Sequence, residues 1–129
     1  GVIIQDATPI TVYRAPVSET VAQLTGPCTF IDGVASGESA TSPFGKLRLT
    51  EAHQGPVRLM VRPEQLRFVP DDAGAVTVQS HRFAAGHYRL HCTGPVGPIQ
   101  VSLEGRSEIP ASGAKGRVEI DGPVWALKP

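Results

Sequence analysis

Short runs of alternating apolar and polar residues fill the chain from Cys28 onward, and glycine or proline interrupts most of them. A period of two is the side-chain period of a β-strand. The 129 residues include 14 glycines and 12 prolines, and turn sequences such as 71–74 and 121–123 separate the runs. The pattern predicts a mainly β fold, a small antiparallel barrel or sandwich of short strands. The nine predicted strands are 28–35, 44–50, 57–62, 66–69, 75–83, 87–93, 99–103, 116–120 and 124–127.

The first 26 residues follow a different pattern. The sequence Gly-Val-Ile-Ile-Gln at 1–5 favours a short strand. Thr8 followed by Pro9 is typical of the N-cap and first position of a helix, which we predict to continue to about Tyr13. Pro16 then prevents the helix from extending further. The chain is therefore expected to begin with a strand and a helix.

A second short helix is predicted between Ser18, which can cap its N-terminus, and Gly26, which ends it. Its predicted apolar stripe consists of Val21, Ala22 and Leu24. The result is a strand-helix-helix arm that has no sheet of its own. An apolar strand without partners needs to be covered, so we expect homodimer packing or exchange of the arm between two copies.

Charge and composition argue against several classes of partner. The chain has 12 basic and 12 acidic residues and only 5% aromatic residues, whereas nucleic-acid-binding barrels combine a basic groove with stacking aromatics. The only basic stretch contains Arg58, Arg62 and Arg67, which we expect to pair with nearby carboxylates. No apolar run approaches the roughly 20 residues of a membrane-spanning helix. We therefore predict neither nucleic-acid binding nor direct membrane insertion.

Motifs that carry catalysis are absent from the sequence. There is no glycine-rich phosphate loop ending in Lys-Ser or Lys-Thr and no Gly-x-Ser-x-Gly elbow. The two cysteines, Cys28 and Cys92, lie in no catalytic context and are predicted to be thiols in a reducing compartment. The chain is predicted to be non-catalytic and to hold no cofactor or metal of its own.

The segment 81–92 contains three of the four histidines. Strand alternation places His87, Arg89 and His91 on one face, and Cys92 on the other. A three-residue hairpin loop would place His81 opposite Arg89. The guanidinium would then lie among imidazoles and oppose a divalent metal.

Two interpretations of this segment remain open: a solvated polar face, or a surface that weakly binds an anion or changes charge near pH 6. The residues of the second interpretation are His81, His87, Arg89 and His91. In the three-residue loop register, Gln79 would also lie opposite His91.

Two segments together resemble a known family. The first segment begins at residue 1 and contains Gln5, Pro9 and Tyr13; the second is Val-Arg-Pro-Glu-Gln-Leu at 61–66, with Gly86 and residues 116–127 as further similarities. They are similar to the C-terminal part of the ATPase subunit of bacterial ABC importers. In that family, a Gly-x-Ile-x-Gln-x-Gly-Thr-Pro segment closes the nucleotide-binding domain. An Arg-Pro-Glu signature, here Arg62, Pro63 and Glu64, belongs to the appended TOBE domain.

The resemblance implies that residues 1–26 end a nucleotide-binding domain and that residues 27–129 form a TOBE-like regulatory domain with an OB-type barrel. It implies a non-catalytic regulatory and dimerisation role, with ATP and Mg²⁺ bound only by the missing N-terminal domain of an ATP-hydrolysing parent. The expected partners are a second copy, the nucleotide-binding domain of the same chain, and membrane permease subunits. The expected location is cytoplasmic, at the inner face of the plasma membrane.

The Arg-Pro-Glu-Gln-Leu sequence and the compact length of the region look closest to the ferric-iron subgroup of these importers. The alternative function is a stand-alone small barrel that binds an oxyanion or another small ligand. A related barrel family binds molybdate and tungstate, but its motif is not evident in this chain.

Overall fold

The computed structural model describes residues 9–84, 87–103 and 109–127. Two helices come first, and eight strands follow. The helices are α1 (Pro9–Arg14) and α2 (Glu19–Thr25), and a 3₁₀ turn spans Pro63–Gln65. The strands are β1 (Thr29–Ser42), β2 (Gly45–Val61), β3 (Leu66–Pro70), β4 (Val76–Ala84), β5 (His87–Gly94), β6 (Gly97–Ser102), β7 (Lys115–Ile120) and β8 (Trp125–Leu127). The predicted mainly β, antiparallel fold after a helical arm is confirmed.

Both predicted helices are present, and their ends follow the local signals. α1 begins at Pro9, and the Ser18 hydroxyl accepts a hydrogen bond from the Val21 amide at 3.2 Å as the N-cap of α2. Val21 and Ala22 are buried as predicted, but Leu24 is 75% exposed. The prediction for Leu24 was wrong because residues two apart lie on nearly opposite sides of a helix, so α2 cannot bury Leu24 on the side on which it buries Ala22. The strand predicted at residues 1–5 lies outside the described residues.

Two compact units make up the described chain, one from residues up to 61 together with 123–127 and one from residues 62–122. The first contains α1, α2 and an antiparallel sheet of order β1-β2-β8. β1 and β2 pair from Thr29 opposite Val61 to Ser42 opposite Gly45, with a register shift between Gly37 and Ser39. The predicted division of the chain at residue 26, based on family resemblance, stays a prediction.

Two long strands, β1 and β2, take the place of three short predicted strands in this unit. We predicted breaks at 36–43 and 51–56, which are polar and each contain a glycine and a proline, but 36–42 lies within β1 and 51–56 lies within β2. A two-stranded ribbon needs backbone partners and little burial, so exposed polar residues can continue it. Gly37 and Gly55, with φ of 67° and 84°, adopt the left-handed conformation inside it.

A sheet of order β3-β7-β4-β5-β6 forms the second unit. Its strands agree with the predicted ones to within two residues at each end. Alternate residues form its core: Leu66, Val76, Val78, Leu90, Cys92, Ile99, Val101 and Val118. The two edge strands, β3 and β6, approach each other. In the described residues they form no ladder, so the sheet curls like an OB barrel without closing.

Candidate functional site

The Arg-Pro-Glu-Gln signature folds into the 3₁₀ turn that leads into β3. Pro63 occupies the first position of the turn, where its missing N–H costs nothing. The Arg62 amide donates to Gln65 Oε1 at 3.0 Å, and the Gln65 amide donates to the Arg62 carbonyl at 2.9 Å. These reciprocal bonds hold the turn closed.

Gln65 also connects this turn to the residue after β7. The Asp121 amide donates to the Gln65 carbonyl at 2.7 Å. Arg62 is 2% exposed, whereas Glu64 is exposed. The signature therefore includes a buried cation and an exposed carboxylate on one short turn, and its backbone bonds set where β3 begins.

The other signature residues are separate in the sequence and lie in other elements. Pro9 and Tyr13 are in α1, which has no buried residue. Gln5 and Gly86 lie outside the described residues. Within the described chain, the structure brings together Arg62, Pro63 and Glu64 only.

The basic stretch forms the ion pairs that we predicted at two of its arginines. Arg58 contacts Glu19 at 3.2 Å and Asp32 at 2.9 Å, and Arg67 contacts Glu119 at 2.5 Å. The hydrogen bond from Arg67, followed by its charge, lowers the pKa of Glu119. These arginines are engaged with carboxylates of their own units, which makes them poor candidates for binding an external anion.

The histidine hairpin has a register different from the one predicted. Ala84 pairs with His87, whereas the predicted register placed Phe83 opposite His87. His81 therefore lies opposite Leu90, and Ser80, instead of Gln79, lies opposite His91. The backbone of His87 is described, but its side chain is outside the described residues.

The corrected register divides the predicted anion-binding face. Directly opposed residues of an antiparallel pair point to the same face. His81 therefore shares a face with Leu90, away from Arg89 and His91. Its place beside Arg89 is taken by Arg82. Sequence reasoning missed Arg82 because it placed Phe83, instead of Ala84, opposite His87.

Arg82, Arg89 and His91 form an electropositive group on the face opposite the core. Partial burial, followed by the charges of Arg82 and Arg89, lowers the pKa of His91. Both guanidinium groups therefore act electrostatically on the imidazole. An anion placed among these three side chains would relieve their repulsion.

Metal-ligating residues do not converge in the described part of the chain: no group of three or more His, Cys, Asp or Glu side chains could hold a metal ion there. Cys92 is buried on the core face, as the alternation predicted. Burial raises the pKa of its thiol to about 11. No disulfide joins Cys28 and Cys92. Neither described helix is long and apolar enough to cross a membrane.

Comparisons with known proteins agree with the resemblance seen in the sequence. No family model matches the chain. It is 36% identical to the Fe(3+) ions import ATP-binding protein FbpC of Streptomyces avermitilis over 93 residues. This match covers 70% of the chain and 27% of that protein. It is 32% identical to the protein of the same name from Streptomyces coelicolor over 123 residues. This match covers 94% of the chain and 35% of that protein. The chain spans about a third of the length of these curated relatives at most. The chain is therefore similar to part of two Fe(3+) ions import ATP-binding proteins.

Proposed function

We propose that the chain is a regulatory and dimerisation region of the ATP-binding subunit of an ABC importer, with ferric iron as the transported solute. The similarity to an Fe(3+) import ATP-binding protein over 94% of the chain carries this proposal, because it includes both the helical arm and the β region. The chain has no phosphate loop of its own. ATP and Mg²⁺ would therefore be bound by a preceding nucleotide-binding domain, and ATP hydrolysis would occur there.

Contacts inside the first unit support a mechanical role for the arm. The Trp125 indole Nε1–H of β8 donates to the Pro16 carbonyl, between the two helices, at 2.7 Å. Ala22 of α2 packs against Met60 of β2 and Leu127 of β8, with Phe30 and Trp125 at the margin. A nucleotide-binding domain attached before α1 would thus be joined to the sheet through Pro16 and α2. Motion of that domain would be transmitted to the sheet.

Dimerisation gives this attachment a function. A lasting contact between two such regions would keep two nucleotide-binding domains at a high effective concentration and limit how far they separate. A regulator that binds one arrangement more tightly would shift the balance between open and closed motors. The subunit would lie on the cytoplasmic face of the membrane, where it would contact permease subunits.

Two measurements test the proposal. The coding sequence upstream of residue 1 should encode a phosphate loop, an ABC signature motif and a switch histidine, and a start codon at or just before that position would contradict the importer assignment. Light scattering of the chain should give the mass of a dimer. A strict monomer at high concentration would contradict the dimerisation role while leaving the importer assignment in place.

A further inference from the structure

The outer face of β4, β5 and β6 carries two rows of polar side chains. Each row consists of residues that lie directly opposite one another across the three strands. The first row is Arg82, Arg89 and Ser102, and the second is Ser80, His91 and Gln100. Two guanidinium groups therefore share one row, and the imidazole lies in the next.

Like charges directly opposite each other destabilise a sheet. Among the described residues, no carboxylate pairs with Arg82 or Arg89, whereas Arg58, Arg67 and Arg117 each pair with at least one. Partial burial and, after it, the charges of Arg82 and Arg89 lower the pKa of His91 in the next row. A like-charged pair that has no carboxylate partner among the described residues is free to accept an external counterion.

Two aromatic rings occupy the opposite face of the same hairpin. Phe83 and Tyr88 pair directly, with ring centroids 4.7 Å apart, and they are 62% and 45% exposed. Exposed aromatic pairs of this kind are typical of protein-binding surfaces. A free inorganic anion would use only the arginines, whereas a protein partner could contact both the charged and the aromatic faces.

We propose that the β4–β5 hairpin binds an acidic segment of a partner protein, with its carboxylates placed on Arg82 and Arg89. Guanidinium groups bind carboxylates through paired, charge-assisted hydrogen bonds. Both arginines are solvent-accessible, which suits a flexible acidic segment lying along the sheet. The site is independent of the importer assignment.

Fluorescein-labelled hexaglutamate, followed by fluorescence anisotropy with the whole chain, tests the proposal. The double variant Arg82→Gln/Arg89→Gln should weaken binding by about tenfold or more, because two charge-assisted contacts are lost. The matched control is Arg14→Gln/Arg48→Gln, which removes two exposed arginines outside the hairpin and changes the net charge equally. The control should stay within about twofold of wild type, because neither arginine belongs to the proposed site. Equal weakening by both double variants would refute the site.

Two further readouts separate the possible ligands. Hexaglutamate should shift the backbone NMR signals of β4, β5 and β6 in the wild-type chain, which tests the site even where a variant fails to fold. Inorganic phosphate or hexauridylate that displaces the peptide at a lower concentration than unlabelled hexaglutamate would overturn the acidic protein partner. The proposal that the hairpin binds an acidic protein segment would also be overturned if hexaglutamate showed no measurable binding at low salt.

Discussion

The hydrogen bond between Trp125 and Pro16 gives a direct test of how firmly the helical arm is attached to the first sheet. Trp125→Phe retains an aromatic ring and removes the indole N–H, which leaves the Pro16 carbonyl without that donor. Pro16 is among the fully buried residues. A buried carbonyl that loses its partner costs about 1–3 kcal/mol. The smaller ring also packs less well around Ala22, and this lowers the free energy of unfolding by about 1 kcal/mol more.

The free energy of unfolding should therefore fall by about 3 kcal/mol, and the Tm by about 10 °C. Far-UV circular dichroism during urea titration measures the first quantity, since the substitution removes the only tryptophan and its fluorescence. Hydrogen exchange should be accelerated mainly in α2 and β8. Phe83→Leu is a suitable control because this ring is 62% exposed, and it should change stability by less than about 0.5 kcal/mol.

A loss of less than about 0.5 kcal/mol in the Trp125→Phe variant would refute the reasoning, since a satisfied buried carbonyl cannot lose its donor at so small a cost. Faster exchange confined to residues 62–122 would also refute it, because both partners of the bond belong to the other unit.

Three other predictions concern the second unit. Gly116→Ala would place a Cβ against the Phe68 ring and should cost about 2 kcal/mol or more, measured by thermal unfolding; unchanged stability would contradict this close packing. Cys92, with a thiol pKa of about 11, should resist iodoacetamide at pH 8 in the native state and react after denaturation, and rapid native alkylation would contradict its burial. The folded-state pKa of His91 lies below its unfolded value, so its contribution to stability is lost as pH falls below about 6.5. Arg89→Gln should raise the pKa of His91 in an NMR titration, and no change would contradict the electrostatic coupling.

Local signals were sufficient to predict the elements whose ends depend on neighbouring residues. Ser18 caps α2 and Gly26 ends it, and both effects act within one helical turn. Strands β4 to β7 of the second unit were predictable because buried residues alternate along each of them. The segments 36–42 and 51–56 have no alternating buried face, since Ala40 is their only buried residue, and their strand structure depends on the partner strand.

The candidate site was only partly predictable because its geometry depends on a β-bulge. Val78 pairs with Cys92, but the next pair is Ser80 with His91, so Gln79 is the extra residue. A bulge of this kind changes which residues of one strand face a given side of the sheet. Alternation alone could place Arg89 and His91 on the outer face, but it could not show that the phase of β4 changes after Val78.

This phase change explains why the electropositive group contains two arginines. Val78 points into the core, and uninterrupted alternation from it would also direct Arg82 inward. Because the bulge shifts the phase by one residue, Arg82 instead lies opposite Arg89 on the outer face, and Phe83 pairs with Tyr88 on the other. The same shift therefore creates the charged row and the aromatic pair together. The two proposed contact surfaces of the hairpin depend on one structural feature, and the residue types alone do not reveal it.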